Sequence, residues 1–131
     1  MFGKKRTRED VEQYISSIMF PGETVEALHI ERFEPSIDFA VVTSQRLSSR
    51  QWQGGGGLLI RSMPFGRIAS VSVTNSREQP LDRSSATGLV VYPLGNTDGH
   101  VISAAQDPAA LLTVYEALLH KLCGVGSAAM V

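Results

Sequence analysis

Four consecutive glycines, Gly54 to Gly57, follow the chain's only tryptophan in QWQGGGGLLI, and glycine-rich loops are a common cradle for phosphates. A phosphate loop needs G-x-x-x-x-G-K-[ST] between a strand and a helix, so that backbone N–H groups, the helix dipole and a lysine converge on the anion. Here the glycines lead into LLIRSM, which is strand-like and brings neither a lysine nor a helix. The dinucleotide fingerprint fails on the same ground. Four glycines between two strands make a hairpin loop, because glycine accepts the positive φ angles that such turns demand.

The other residues capable of chemistry form no recognisable constellation. His29, His100 and His120 are too far apart for a metal signature, and the chain has no H-E-x-x-H, C-x-x-C or G-x-S-x-G. Each histidine reads as a strand or helix-surface residue. Cys123 is the only cysteine, so no intrachain disulfide is available, and it reads as a small buried hydrophobe near a helix end. The serines suit a hydroxyl-lined polar face better than a triad. The sequence therefore points to no catalytic residue, metal ligand or cofactor site, and to a protein that is not an enzyme.

What remains is surface chemistry. Trp52 and Arg50 flank the glycine loop, and tryptophan and arginine are favoured anchors at protein interfaces. The alternative is that Trp52 simply closes one end of the fold. After Arg8 the cations are seven arginines and Lys121, a bias towards the side chain suited to paired interface contacts. Arg46, Arg50, Trp52, Arg61 and Arg67 are the candidate interaction surface.

Twelve Lys+Arg against thirteen Asp+Glu leave a formal charge of -1, so no overall field recruits nucleic acid. The distribution is uneven: residues 9 to 38 hold eight acidic side chains against Arg32, whereas residues 46 to 83 hold six arginines against Glu78 and Asp82. Two unlike patches on identical subunits can meet head to tail and close into a ring. They can equally meet within one subunit and neutralise each other there.

The elements that must carry these residues follow from periodicity. Val11, Tyr14, Ile15, Ile18 and Met19 fall on one helical face, with Thr7 and Asp10 placed as a capping box and Pro21-Gly22 as the stop. From Thr24 to Ala104 the texture is short β-rich runs: 24 to 33, 37 to 43, 46 to 52, 58 to 63, 68 to 74, 88 to 94 and 100 to 104. In IASVSVT, Ala69, Val71 and Val73 alternate with Ser70, Ser72 and Thr74, giving a core face and a wet face. Residues 75 to 87 are the longest polar connection, and Asn96 to Gly99 read as a hairpin loop. Asp107 and Pro108 start a second helix whose stripe is Leu111, Leu112, Val114, Tyr115, Leu118, Leu119 and Leu122, with Gly124 at its exit.

Seven strands followed by an amphipathic helix match the order of a pleckstrin-homology-like barrel. FPGETV (20 to 25), VVTSQRL (41 to 47), SMPFGRIASVSV (62 to 73) and DPAALLTVYEALLHKL (107 to 122) also resemble the bacterial pleckstrin-homology-like domain family. In that pattern a P-G-E turn starts the first strand and a T-x-x-R-L follows the second. The resemblance implies a mainly β fold: a seven-stranded barrel capped by a C-terminal helix, here with an added N-terminal helix. The organisation expected is a basic tail at 1–7, one domain over 8–122 and a tail at 123–131.

Such folds serve as lipid-headgroup binders, peptide binders and assembly modules, so function must come from a site. Phosphoinositide binding resembles K-x(n)-[KR]-x-R across the first two strands, whereas the loop here is ERFEPSID, with Glu31, Glu34 and Asp38 around Arg32. Phe2, Lys4, Lys5, Arg6 and Arg8 form a candidate weak membrane contact, since four cations at about 1 kcal/mol each give only loose anchoring. The expectation is a cytoplasmic, non-enzymatic interaction or assembly module that binds itself or another protein. A weak membrane-surface or small-ligand binder is the second expectation.

Overall fold

The computed structural model describes residues 5–34, 36–52, 57–75, 86–95, 98–104 and 107–129. The first helix, α1 (Arg8–Ile18), begins with the expected capping box: Thr7 N–H donates to Asp10 Oδ2 at 2.7 Å, and Asp10 N–H donates back to Thr7 Oγ1 at 3.4 Å. The strands are β1 (Val25–Arg32), β2 (Asp38–Thr43), β3 (Arg46–Trp52), β4 (Leu58–Pro64), β5 (Ile68–Asn75), β6 (Ala86–Pro93) and β7 (His100–Ala104), and α2 (Pro108–Ala129) closes the chain. Seven strands and two helices thus appear where the periodicities place them.

The strands make two antiparallel sheets, β1-β2-β3-β4 and β5-β6-β7, with no ladder joining them among the described residues. The expected closed barrel is therefore corrected to an open arrangement of two sheets. A 3₁₀ turn at Phe65–Arg67 redirects the chain after β4, and the Leu94 N–H donates to the Arg67 carbonyl at 2.9 Å across that corner. On the other side α2 packs against β1 of one sheet and β5 and β6 of the other. The main core lies between the sheets and α2, with Ala40, Val42 and Leu47 from one sheet, Leu89 and Val91 from the other, and Leu111 and Leu118 from the helix.

The four-stranded sheet is covered on its outer face chiefly over β1 and β2, with Tyr14 of α1 reaching Arg50 of β3 and Ser48 buried beside it. Over β1 and β2 that face carries Leu28, Ile30, Phe39 and Val41, and Val11 and Ile15 of α1 pack on them. Every residue of β2 is buried in consequence, which explains why FAVV at its centre is apolar at every position rather than alternating.

Three local expectations need correction. Ala69 is exposed and Ile68 is buried, because a register shift between Ile68 and Ser70 moves the inward phase of β5. β6 begins at Ala86, inside the segment read as a polar connection. Gly124 does not end α2, which runs on to Ala129 and takes in most of the segment read as a tail. A glycine costs a helix interior about 1 kcal/mol relative to alanine but halts it only by turning the chain left-handed. Residues 76–85 and 96–97, from the expected connection and hairpin loop, lie outside the described residues.

Candidate functional site

Two of the motif blocks in the sequence meet in space. Phe20 to Glu23 form a tight turn with Pro21 and Gly22 at its centre; Gly22 has φ +81°, and the Glu23 N–H donates to the Phe20 carbonyl at 3.0 Å. The turn delivers the Glu23 carboxylate beneath the β2-β3 hairpin. There Arg46 donates from Nε to Oε2 at 2.9 Å and from Nη2 to Oε1 at 3.0 Å, while the Thr43 hydroxyl donates to Oε2. Arg46 Nη2 also donates to the Ile18 carbonyl at 2.7 Å and Nη1 to Ser62 Oγ at 2.9 Å, and its guanidinium lies 4.2 Å from the centre of the Phe20 ring. The arginine and the hydrogen bonds from Thr43 and the Phe20 N–H outweigh the cost of burial and lower Glu23 to a pKa of about 2. Arg46 is thereby committed inside the subunit, fastening the end of α1 to β3 and β4.

Arg50 stands in the same outward row of β3 and meets a different environment. Its guanidinium lies 4.5 Å from the centre of the Tyr14 ring of α1. It makes no hydrogen bond or ion pair among the described residues, and its Nε is buried without a partner. Trp52 follows in that row at 42% exposure, opposite Leu58 of β4, and Ile60, opposite Arg50, is 57% exposed. The outer face therefore changes along β3 and β4: at one end Arg46 ties Ser62 to the Ile18 carbonyl and Glu23, beside the exposed Phe20 ring, and at the other Trp52, Leu58 and Ile60 are exposed with no such tie among the described residues. The end of β3 is itself held, since Asp38, buried, accepts from the Trp52 N–H at 3.1 Å and forms an ion pair with Arg32, whose Nε lies 3.2 Å away. Trp52 does not close the fold. It is presented to solvent on a fixed backbone.

Of the remaining candidates, Arg61 is half-buried on the other row of β4 and Arg67 is exposed in the 3₁₀ turn. Neither forms an ion pair or side-chain hydrogen bond among the described residues. The proposed membrane cluster is dispersed where it is described: Lys5 is exposed, Arg6 bonds the Phe33 carbonyl and Glu34, and Arg8 reaches Glu12 at 3.5 Å. Phe2, Lys4 and Gly54 to Gly56 lie outside the described residues, and Gly57, at φ +102°, enters β4 in the left-handed region. Among the described residues no helix is long and apolar enough to cross a membrane.

The histidines stay apart, on β1, β7 and α2. His29 is fully buried on the core face of β1, 3.9 Å from a Glu31 carboxylate oxygen, and burial pushes it below the ordinary imidazole range while the Asp107 charge pulls the other way. Cys123 is exposed rather than buried. It borders a groove of about 530 Å³ between β5 and α2, floored by Val71, Leu119 and Leu122, where Lys121 is paired with Glu26 at 2.8 Å. Sequence reasoning passed over this groove, since its apolar residues belong to the stripe that also makes the core.

Solved structures share this architecture. A DUF1696-family protein with a pleckstrin-homology domain from Shewanella loihica superposes with a TM-score of 0.60 at 19% identity, covering 89% of this chain and 94% of that one. A pleckstrin-homology domain from Shewanella amazonensis gives 0.59 at 20% identity, covering 86% and 95%. No protein-family model matches the chain, and no curated protein sequence matches it either. At these identities the likeness establishes the fold, and the function has to be argued from the surface.

Proposed function

We propose that this chain, which has the fold of the bacterial pleckstrin-homology domains, is a non-enzymatic interaction module that self-associates. The observation that carries this reading is the bare outer half of the four-stranded sheet, where Trp52, Leu58 and Ile60 stand exposed beside Arg50. An aromatic and two aliphatic side chains on a rigid sheet, next to an unpaired arginine, have the composition of an interface anchor. Pairing within the subunit accounts for only part of the uneven charge. Glu23 with Arg46, Asp38 with Arg32 and Glu34 with Arg6 neutralise one another, and Arg50, Arg61 and Arg67, which have no ion pair among the described residues, are the candidates for contacts outside. Glu9, exposed in the first turn of α1, offers a carboxylate on a second copy.

Sedimentation or light scattering across protein concentrations, at low and moderate salt, tests the reading. The expected mass is a multiple of the 14.2 kDa chain, and Ile60→Asp should lower it without unfolding the subunit. A mass of 14.2 kDa at every concentration defeats self-association.

A further inference from the structure

A sheet ends in strands whose outward N–H and C=O groups can template another chain, and natural edges are blunted by bulges, charge, proline or cover. Four strands lie at a sheet edge here: β1, β4, β5 and β7. β1 shifts register at Val25/Ala27 and again at Ile30/Arg32, and α2 packs against it. β5 shifts at Ile68/Ser70 and at Thr74/Asn75, and the β6-β7 ladder shifts at Leu89/Val90.

β4 has no register shift and no covering element among the described residues, and its only blunting devices are the charge of Arg61 and a terminal proline. Its ladder with β3 runs unbroken from Arg46↔Pro64 to Trp52↔Leu58, and its one proline is the last residue. Its outward row begins with Leu58 and Ile60, both exposed, and its opposite row contains Arg61, half-buried and without an ion pair among the described residues. A long, regular, apolar edge carrying one unpaired cation is a template with a preferred sequence.

We infer that β4 takes up an extended segment of a partner protein as a fifth strand, one in which apolar residues alternate with acidic ones. The alternation follows from the period of two in a strand. Residues of the incoming segment opposite Leu58 and Ile60 fall on the outer face, beside Trp52, and bury apolar surface there. Those opposite Leu59 and Arg61 fall on the other face, where a carboxylate can accept two parallel N–H bonds from the guanidinium. Main-chain bonds would supply affinity and the two rows of side chains specificity, as in strand addition generally. A second copy of this chain is the poorer occupant. Its own β4 brings another Arg61 and no carboxylate, and its acid-bearing edge β1 is bulged, with Leu28 and Ile30 already under α1.

The inference rests on reading β3 and β4 as an interaction surface but is separable from self-association. The probes are two labelled nine-residue peptides with blocked ends, one alternating valine and glutamate and one alternating valine and lysine. Binding to dilute full-length protein is followed by fluorescence anisotropy, and backbone amide exchange is compared with and without peptide. The valine–glutamate peptide should bind at least tenfold more tightly and slow exchange at residues 58–63. Arg61→Glu should reverse the order of the two peptides, and Ile60→Asp should weaken both with an unchanged melting temperature. Equal binding of both peptides, no binding at millimolar peptide, or binding without slowed exchange in β4 each overturns strand addition. An oligomer that ignores both peptides keeps the proposed function and ends this inference. A monomer that binds the acidic peptide does the reverse.

Discussion

Arg46 and Arg50 stand four residues apart in one row of β3, and their surroundings are opposites. Arg46 donates to a buried carboxylate, a carbonyl and a serine hydroxyl, and lies against Phe20. Arg50 has the Tyr14 ring and no polar partner among the described residues. An arginine with a full set of acceptors holds a fold together. One kept on an aromatic ring with its donors unanswered sits beside the place where something else must dock. Residue type does not separate the two; the position of a carboxylate does. The turn at Pro21-Gly22 brings Glu23 to one end of the row, and among the described residues no carboxylate reaches Arg50 at the other.

The largest expected effect breaks the closed end. Arg46→Ala leaves Glu23 buried and ionised without its cation, and breaking a buried pair from one side typically costs about 3 to 5 kcal/mol. Denaturant unfolding of the variant should show a loss of that order. A loss below about 1 kcal/mol would mean that the cluster ties down nothing, and the contrast with Arg50 would fail.

A somewhat smaller effect comes from pH. The Glu23 pKa is depressed from 4.5 to about 2 on folding, so its contribution is complete above the unfolded value and is lost as pH falls through the folded one. The contribution is on the order of 3 kcal/mol, at about 1.4 kcal/mol for each unit. Glu23→Gln should therefore be less stable than the parent by a constant margin near neutral pH. That margin should shrink between pH 4.5 and about 2. A margin independent of pH across this window would show that the carboxylate is not what the pair holds ionised.

The sequence marked the separate blocks of the closed end but not their convergence, and of the open end it singled out Arg50 and Trp52 but not Leu58 and Ile60. P-G-E and T-x-x-R-L stand out as blocks because turn chemistry and a short spacing constrain them locally. That Glu23, Thr43 and Arg46 converge is a fact of tertiary packing, and the sequence placed Arg46 on the interaction surface instead. The helical stripe of α1 identified Val11 and Ile15 correctly but could not say that α1 lies over β1 and β2, reaches β3 through Tyr14, and leaves Trp52, Leu58 and Ile60 exposed. For that reason the exposure of Trp52 was undecided and Leu58 and Ile60 were passed over: an alternating apolar row looks the same whether a helix lies on it or not. Closure of the barrel was likewise invisible, because ladder partners between distant strands leave no local mark. Gly124 misled for the opposite reason, a local signal that the helix overrode.

The smallest expected effect on stability tests the open end. In the isolated subunit Arg50 contributes one cation–π contact, worth about 0.5 to 1 kcal/mol. Against this stands a buried Nε–H with no acceptor, a fault of about 1 to 3 kcal/mol that disappears when the group is replaced by an apolar one of similar length. Arg50→Met keeps the aliphatic reach over Tyr14 and removes the unanswered donor. The two contributions nearly cancel or favour the variant, so the melting temperature should stay unchanged or rise slightly. The same change removes an interface anchor, so self-association should weaken in sedimentation at equal concentration. Stability and assembly then move independently at Arg50, whereas Arg46→Ala lowers stability first and assembly only through it. If Arg50→Met instead destabilised the fold as much as Arg46→Ala does, the two arginines would be doing the same job, and the bare half of the sheet would need another account.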